Sequence, residues 1–217
     1  ILPSLNNDEW IGTCQYRRFF VKKEFGEKTK NKYHGFYNIK NIDELKSIIQ
    51  IEPVKEWNDY DVILCNPYNL SGVKKIKLIK RGFRSLMKDP SIFFKKNKQT
   101  IKLHFEMHHG YSKLEKASRL LPRGDETDFL SYVSTKTSLI GNCIFISRNK
   151  KIMSDFYTDL FTWLFKCEEI FGFKGDDYDT KRIYSFLTER YMPFWFEKYS
   201  NVLTWPWVFF DISKFEN

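Results

Sequence analysis

Between Lys151 and Phe171 apolar residues recur at spacings of three and four, through Met153, Phe156, Tyr157, Leu160, Phe161, Leu164, Phe165, Cys167 and Ile170. Immediately before them lies Ser138–Ser147, dense in β-branched and aromatic residues. The first pattern is the broad stripe of a long amphipathic helix, and the second is that of a buried strand. A strand delivered within a few residues to a long one-sided helix leaves two apolar surfaces to cover. A sheet with helices packed on it covers both.

The rest of the chain extends this pattern. Ile11–Tyr16 reads as a short strand that delivers Arg17 and Arg18 to its end, and Val62–Cys65 as a compact buried strand closed by Asn66 and Pro67. Between them, Ile42–Ile51 has helical spacing with Asp43 and Glu44 favouring the first turn. Val73–Lys102, punctuated by Gly72, Gly82 and Pro90, reads as an irregular excursion suited to a lid or substrate loop. Ser112–Leu121 and Asp128–Val133 are helical. A last helix runs from about Asp179 to Trp195, with Pro193 breaking its end. The expected fold is α/β: a single layered domain over residues 1–217, with a mainly parallel or mixed sheet flanked by helices. Ile11–Tyr16, Val62–Cys65 and Leu139–Ser147 should be neighbours in that sheet.

Composition narrows the class. With 217 residues, 42% hydrophobic and 18% aromatic, the chain has ample material for a core. Its longest apolar runs, such as Trp205–Phe210, are far shorter than a membrane span, so a cytoplasmic protein is the expectation, with the inner face of the membrane as one place of action. Cys14, Cys65, Cys143 and Cys167 are widely spaced and read as buried free thiols. A net charge of +9 calls for an anionic partner: nucleic acid, a membrane surface or a phosphorylated substrate. The Lys-rich stretches at Val21–Lys32, Val73–Lys88 and Phe93–Lys102 also fit a solvated face. Phe156, Phe161 and Phe165 lie at core spacing, away from the exposed placement that base stacking needs, and so no nucleic-acid partner is expected.

Several residue groups could carry chemistry. Arg17 and Arg18 form a natural phosphate clamp, because a guanidinium is planar, always charged and donates in pairs. Asp59-Tyr60-Asp61 precedes its strand, and Asp177-Tyr178-Asp179 precedes a helix, so neither Asp-x-Asp string stands where a metal-holding one should. The cofactor is therefore undetermined, with manganese or magnesium as candidates and no metal ligand assigned. His104 and His108 share a helix face but lack the glutamate of a zinc-protease motif; they read as polar contacts to a sugar or phosphate, or as structural histidines. Glu189, with Arg182 and Arg190 nearby on an otherwise apolar helix, is either a salt-bridge partner or a general base for an acceptor hydroxyl. Asn142, a polar residue beside a glycine in a central strand, is expected to face the same cleft as Glu189.

Taken in order, these segments resemble a family of glycosyltransferases from bacterial capsule and exopolysaccharide clusters with an A-type glycosyltransferase-like fold. The family's Gly-Leu-x-His-Tyr-Arg-Arg-Tyr-Phe is matched by Gly12-Thr13-Cys14-Gln15-Tyr16-Arg17-Arg18-Phe19-Phe20. Its Tyr-Asp-x-Ile-Leu is matched by Tyr60–Leu64, its Asn-Met-Phe-Ile strand by Asn142–Ile146 and its Trp-Leu-Phe helix core by Trp163–Phe165. Its closing Arg-x-x-Gly-Phe-x-x-Glu-Arg resembles Arg182–Arg190. The chain departs from the pattern at Gln15, where the family has histidine. Only eleven residues precede Gly12, where the family has a sizeable donor-binding part, which implies a shortened or missing N-terminal portion.

The resemblance implies transfer of a sugar from a nucleotide-sugar donor to a glycan or lipid-linked acceptor in surface-glycan biosynthesis, with peripheral membrane association as an accompanying option. The substrate-binding candidates are Gln15, Tyr16, Arg17, Arg18, His104, His108, Asn142, Arg182 and Arg190, of which Arg17 and Arg18 would contact the donor diphosphate as the resemblance implies. Glu189 is the catalytic candidate, as the acceptor-activating base or the group that orients a substrate hydroxyl. The alternatives are a basic nucleic-acid-binding protein and an inactive interaction domain on the transferase scaffold.

Overall fold

The computed structural model describes residues 9–29, 39, 41–173 and 178–211. The first half contains β1 (Ile11–Thr13), β2 (Arg18–Phe20), α1 (Lys23–Thr29), α2 (Ile42–Ile48), β3 (Val62–Cys65) and β4 (Tyr68–Asn69). Helices α3 (Lys75–Lys88), α4 (Ile101–His109), α5 (Lys113–Ser118) and α6 (Glu126–Thr135) follow. The chain continues through β5 (Ser138–Leu139), β6 (Phe145–Ser147), α7 (Lys150–Phe171), α8 (Tyr178–Lys181), α9 (Ile183–Tyr199), β7 (Val202–Trp205) and β8 (Trp207–Phe209). Contacts group into two compact units. One holds residues 1–68, 140–154 and 196–217, and the other residues 69–139 and 155–195.

The first unit is built on a four-stranded sheet of order β1-β6-β3-β7. The β1–β6 and β6–β3 pairs are antiparallel and β3–β7 is parallel, so the sheet is mixed. All four residues of β3 are buried, which marks a strand covered on both faces. Its entry is fixed by Asp61, whose carboxylate accepts the Asn201 backbone N–H at 2.9 Å. A second antiparallel pair, β2–β8, packs its apolar residues with α2: Val21, Leu45, Ile48, Val208 and Phe210 form one cluster. Trp57 joins the two sheets' side chains by edge-on contacts to Phe20 and Trp205, at 6.4 and 5.4 Å between ring centres.

The second unit is helical. Helix α7 buries Met153, Phe156, Leu160, Trp163 and Cys167. The Trp163 indole donates to the Ala117 carbonyl at 2.7 Å, and the Trp195 indole donates to the Asp159 carboxylate at 2.8 Å. Phe129 meets Trp163, Tyr191 and Phe194 edge-on.

Several expectations need correction. The expected strand Ile11–Tyr16 stops at Thr13, and Arg18 opens the next strand instead of closing the first. The expected strand Leu139–Ser147 is interrupted between β5 and β6. A Cβ built at Gly141 would stand 2.3 Å from the Tyr68 hydroxyl, so the backbone there leaves the ladder to let the phenol pass. Val73–Lys102 is no irregular excursion: α3 (14 residues) is followed by two short 3-10 turns and the start of α4. Gly82, read as punctuation, sits inside α3 on its buried face against Met107.

Helix α2 ends at Ile48 because Ile49 is drawn into a bridge with Val21. Pro193 lies inside α9, which runs on to Tyr199. Phe161 and Phe165 are 50% and 64% exposed, since the face through Met153, Phe156, Leu160 and Trp163 takes the core and leaves them about a third to nearly half a turn away. Cys14 is exposed and Cys143 only partly buried; both sit in loops that the sheet edge leaves open.

Gly12 is a tight position in the sheet. A Cβ there would stand 2.4 Å from the Phe145 carbonyl oxygen, a backbone atom held by the β1–β6 pairing. Gly12→Ala should therefore lower unfolding free energy by about 2 kcal/mol in urea titration, the range for forcing a methyl into a packed site.

Candidate functional site

Parallel strands β3 and β7 end together at Cys65 and Trp205. The register also brings Thr13 of β1 opposite Phe145 at the start of β6. The loops after β1, after β3 and before β6 therefore open on one edge, the carboxyl edge of the parallel pair, where ligands of open α/β sheets bind. This edge carries Cys14, Gln15, Asn66, Asn142 and Cys143.

The residues there are interlinked. Thr13 Oγ1 donates to the Cys143 carbonyl at 2.8 Å. The Asn142 side chain, 3% exposed, hydrogen-bonds the Cys65 thiol. Burial pushes that thiol well above its ordinary range, while the Asn142 hydrogen bond and the Arg18 charge pull it down. Arg18 thus faces the buried end of β3. Its Nη1 donates to Gln15 Oε1, and its guanidinium lies 5.7 Å from the Phe209 ring centre. Its Nε is buried with no hydrogen-bond partner among the described residues. A buried N–H without an acceptor is costly, and an anionic oxygen would satisfy it.

Arg18 also lines a cavity of about 350 Å³ whose wall includes Gly12, Thr13, Cys14, Trp57 and Ile144. Arg17 is turned elsewhere. It stacks over Tyr16 at 4.8 Å and pairs with Asp211 at 3.6 Å. Arg17 lies in a turn closed by the Arg18 N–H donating to the Gln15 carbonyl at 3.1 Å, and Arg18 opens β2, so the two side chains leave the backbone in different directions. Tyr16 is exposed.

A second group of expected site residues gathers in the helical unit. Arg190, 1% exposed, donates through Nη1 to Glu189 Oε2 at 2.7 Å and to the Phe186 carbonyl at 3.1 Å. Its Nη2 stands 3.1 Å from His104 Nδ1. A guanidinium can only donate, so Nδ1 accepts and the His104 proton sits on Nε2. Burial holds the His104 pKa well below 6.5, helped by the charges of Arg190 and of His108. His108 packs against His104 at 4.8 Å and meets Arg81 through Nδ1 at 3.0 Å. Of the two candidate partners of Glu189, Arg190 is engaged; Arg182 is exposed and holds Tyr178 through a hydrogen bond and a ring contact.

Asp59 and Asp61 stand at the amino end of β3, where Asn201 engages the Asp59 carbonyl and the Asp61 carboxylate. Asp177 and the side chain of Asp179 lie outside the described residues. Among the described residues, no group of three or more His, Cys, Asp or Glu is placed to share a metal ion.

A family model described as a domain of unknown function, DUF4422, matches residues 3–201. The chain belongs to this family. Its fold is also similar to the apo structure of WbbM, a bifunctional glycosyltransferase, with a TM-score of 0.64 at 15% identity. The match covers 96% of this chain and 34% of that one, so this DUF4422 chain spans about a third of that protein's length. No curated protein matches it.

Sequence reasoning missed Cys65 and Asp211 as neighbours of the site. The Trp205–Phe210 run was the available signal for β7 and β8, since its aromatic and β-branched composition is that of strands.

The lowered His104 pKa fixes a pH dependence. A histidine harder to protonate when folded leaves stability intact above pH 6.5, and stability is lost as pH falls from there toward the depressed folded value. His104→Gln keeps an acceptor for Arg190 but cannot titrate. Urea midpoints measured through this acidic range should fall less steeply for the variant than for the parent.

Proposed function

We propose that this chain is a glycosyltransferase that moves a sugar from a nucleotide-sugar donor to a glycan or lipid-linked acceptor in surface-glycan biosynthesis. The observation that carries the reading is Arg18: a guanidinium with a buried, unsatisfied N–H, beside a cavity, at the carboxyl edge of parallel strands. The glycosyltransferase-like fold supports the same reaction class.

In the proposed reaction an acceptor hydroxyl oxygen attacks the anomeric carbon. The bond from that carbon to the diphosphate oxygen breaks, and the nucleoside diphosphate leaves with the electron pair. Arg18 donates to the diphosphate as its charge grows, a role that stabilises the transition state electrostatically. Gln15 holds the Arg18 guanidinium in place. Asn142 offers a polar group at the same edge that can orient a sugar hydroxyl. Glu189, in the helical unit, is the candidate to take the acceptor proton; its Oε2 accepts from Arg190 Nη1 at 2.7 Å. A divalent cation, if one binds, would add charge at the diphosphate. The described residues offer no carboxylate set for it, and no step is assigned to it.

Nucleoside diphosphates and nucleotide sugars, with and without manganese, should raise the melting temperature of the chain by mass action. Arg18→Ala should weaken nucleotide-sugar binding by about 2 kcal/mol, roughly thirtyfold, on calorimetric titration. Equal affinity in the variant would remove Arg18 from the donor site.

Glu189→Gln separates base from counter-ion. Transfer reduced by roughly two to four orders of magnitude with donor binding retained is the outcome for a base. A less stable protein whose turnover per folded molecule is unchanged would leave Glu189 only the role of neutralising Arg190.

A further inference from the structure

Helix α3 carries an apolar sector wider than its own chain covers. With Leu78 as the inward direction, a rotation of about 100° per residue places Leu86, Ile79, Phe83, Ile76 and Met87 in succession around one half of the helix. The protein takes one edge of that half, through Leu78 and the small residues Gly82 and Ser85. The rest stands open: Ile76 is 68% exposed, Ile79 50%, Phe83 58% and Met87 70%.

Beyond Met87 the rotation continues through Lys80, Arg84, Lys77 and Lys88, and Lys75 flanks the other side. The helix contains no acidic residue. Its orientation is fixed from behind, since Gly82 packs on Met107 and the Ser85 hydroxyl donates to Glu106 at 2.7 Å. Arg81 is tied to His108.

We infer that the open face of α3 docks on the surface of an anionic lipid bilayer, with Ile76, Ile79, Phe83 and Met87 entering the headgroup–acyl boundary. Flanking lysines and arginines would meet lipid phosphates. An exposed apolar stripe bordered by cations is the pattern of helices that lie in the interface plane, where apolar burial and attraction to anionic lipid add together. Charge decides against the other occupants. A second copy of α3 brought face to face would set like charges against each other. Nucleic acid would be gripped by the cations, but Phe83 is a single ring among Ile76, Ile79 and Met87, which give successive bases nothing to stack on. Among the described residues no helix is long and apolar enough to cross a membrane, so docking is confined to the surface. The inference does not depend on the transferase reading.

The test is co-flotation with vesicles of phosphatidylcholine alone and of phosphatidylcholine mixed with phosphatidylglycerol. The parent chain should float with the mixed vesicles only, and less so as salt is raised. Ile79→Ser with Phe83→Ser, both exposed positions, should weaken binding at least tenfold while the circular dichroism and melting temperature are kept. Lys80→Gln with Arg84→Gln should weaken it roughly fivefold per charge. Failure of the parent chain to bind mixed vesicles would overturn the inference, as would equal binding by the serine variant. A dimer seen by light scattering, abolished by the serine variant and accompanied by no vesicle binding, would assign the face to a second copy instead.

Discussion

Val62, Ile63, Leu64 and Cys65 are buried, so the backbone groups of β3 must find their partners in strands on either side of it. Strand β6 meets them antiparallel and β7 meets them parallel, and the rest of the first unit follows. The parallel pairing is what creates a carboxyl edge at all, because an antiparallel neighbour would have returned the chain to the other end. The register then sets which residues reach that edge: Thr13, Cys65, Phe145 and Trp205 stand in adjacent rows, and the loops beyond them carry the polar groups. Asn201 locks the opposite end through Asp61, which is why that carboxylate belongs to the scaffold.

Two kinds of arginine illustrate what burial does to a cation. Arg190 is nearly surrounded: a carboxylate, a carbonyl and an imidazole take N–H groups of its two Nη atoms and the Phe105 ring lies 5.5 Å away, while its Nε is buried with no hydrogen-bond partner among the described residues. Such a group organises its neighbourhood, setting the tautomer of His104 and suppressing that ring's protonation. Arg18 is incompletely served. It has Gln15, the face of Phe209 and one buried nitrogen with nothing to bond. What separates the two is access: Arg190 is 1% exposed, whereas Arg18 lines a cavity of about 350 Å³.

The sequence made the α/β class, the β3 strand and helix α7 legible because each has a strong local signature, a run of buried apolar residues or a sustained period. It was less informative where neighbours distant in the chain decide. Gly141 breaks an otherwise continuous strand because of Tyr68, and Gly82 is a packing position because of Met107. Phe161 and Phe165 share the helical period of the core yet lie outside it, since the width of a buried face depends on what packs there. At the site, the Arg17-Arg18 pair was visible as a motif. That one guanidinium turns to Asp211 and the other to the cavity rests on β8, a strand that only the Trp205–Phe210 composition foreshadowed.

The segment Val202–Phe209 serves two sheets at once, as the outer neighbour of β3 and as the partner of Arg18's strand, with Pro206 at the changeover. Its indole at Trp205 donates to the Val21 carbonyl across a separation of 184 positions. An edge assembled across so long a separation has no local precursor. Arg18 acquires its surroundings only when this distant segment settles, so this edge should be among the slowest parts of the molecule to mature, as closure of long loops is slow. Until Val202–Phe209 settles, the Tyr-Arg-Arg string is present without the β8 pairing and the Phe209 ring that position Arg18.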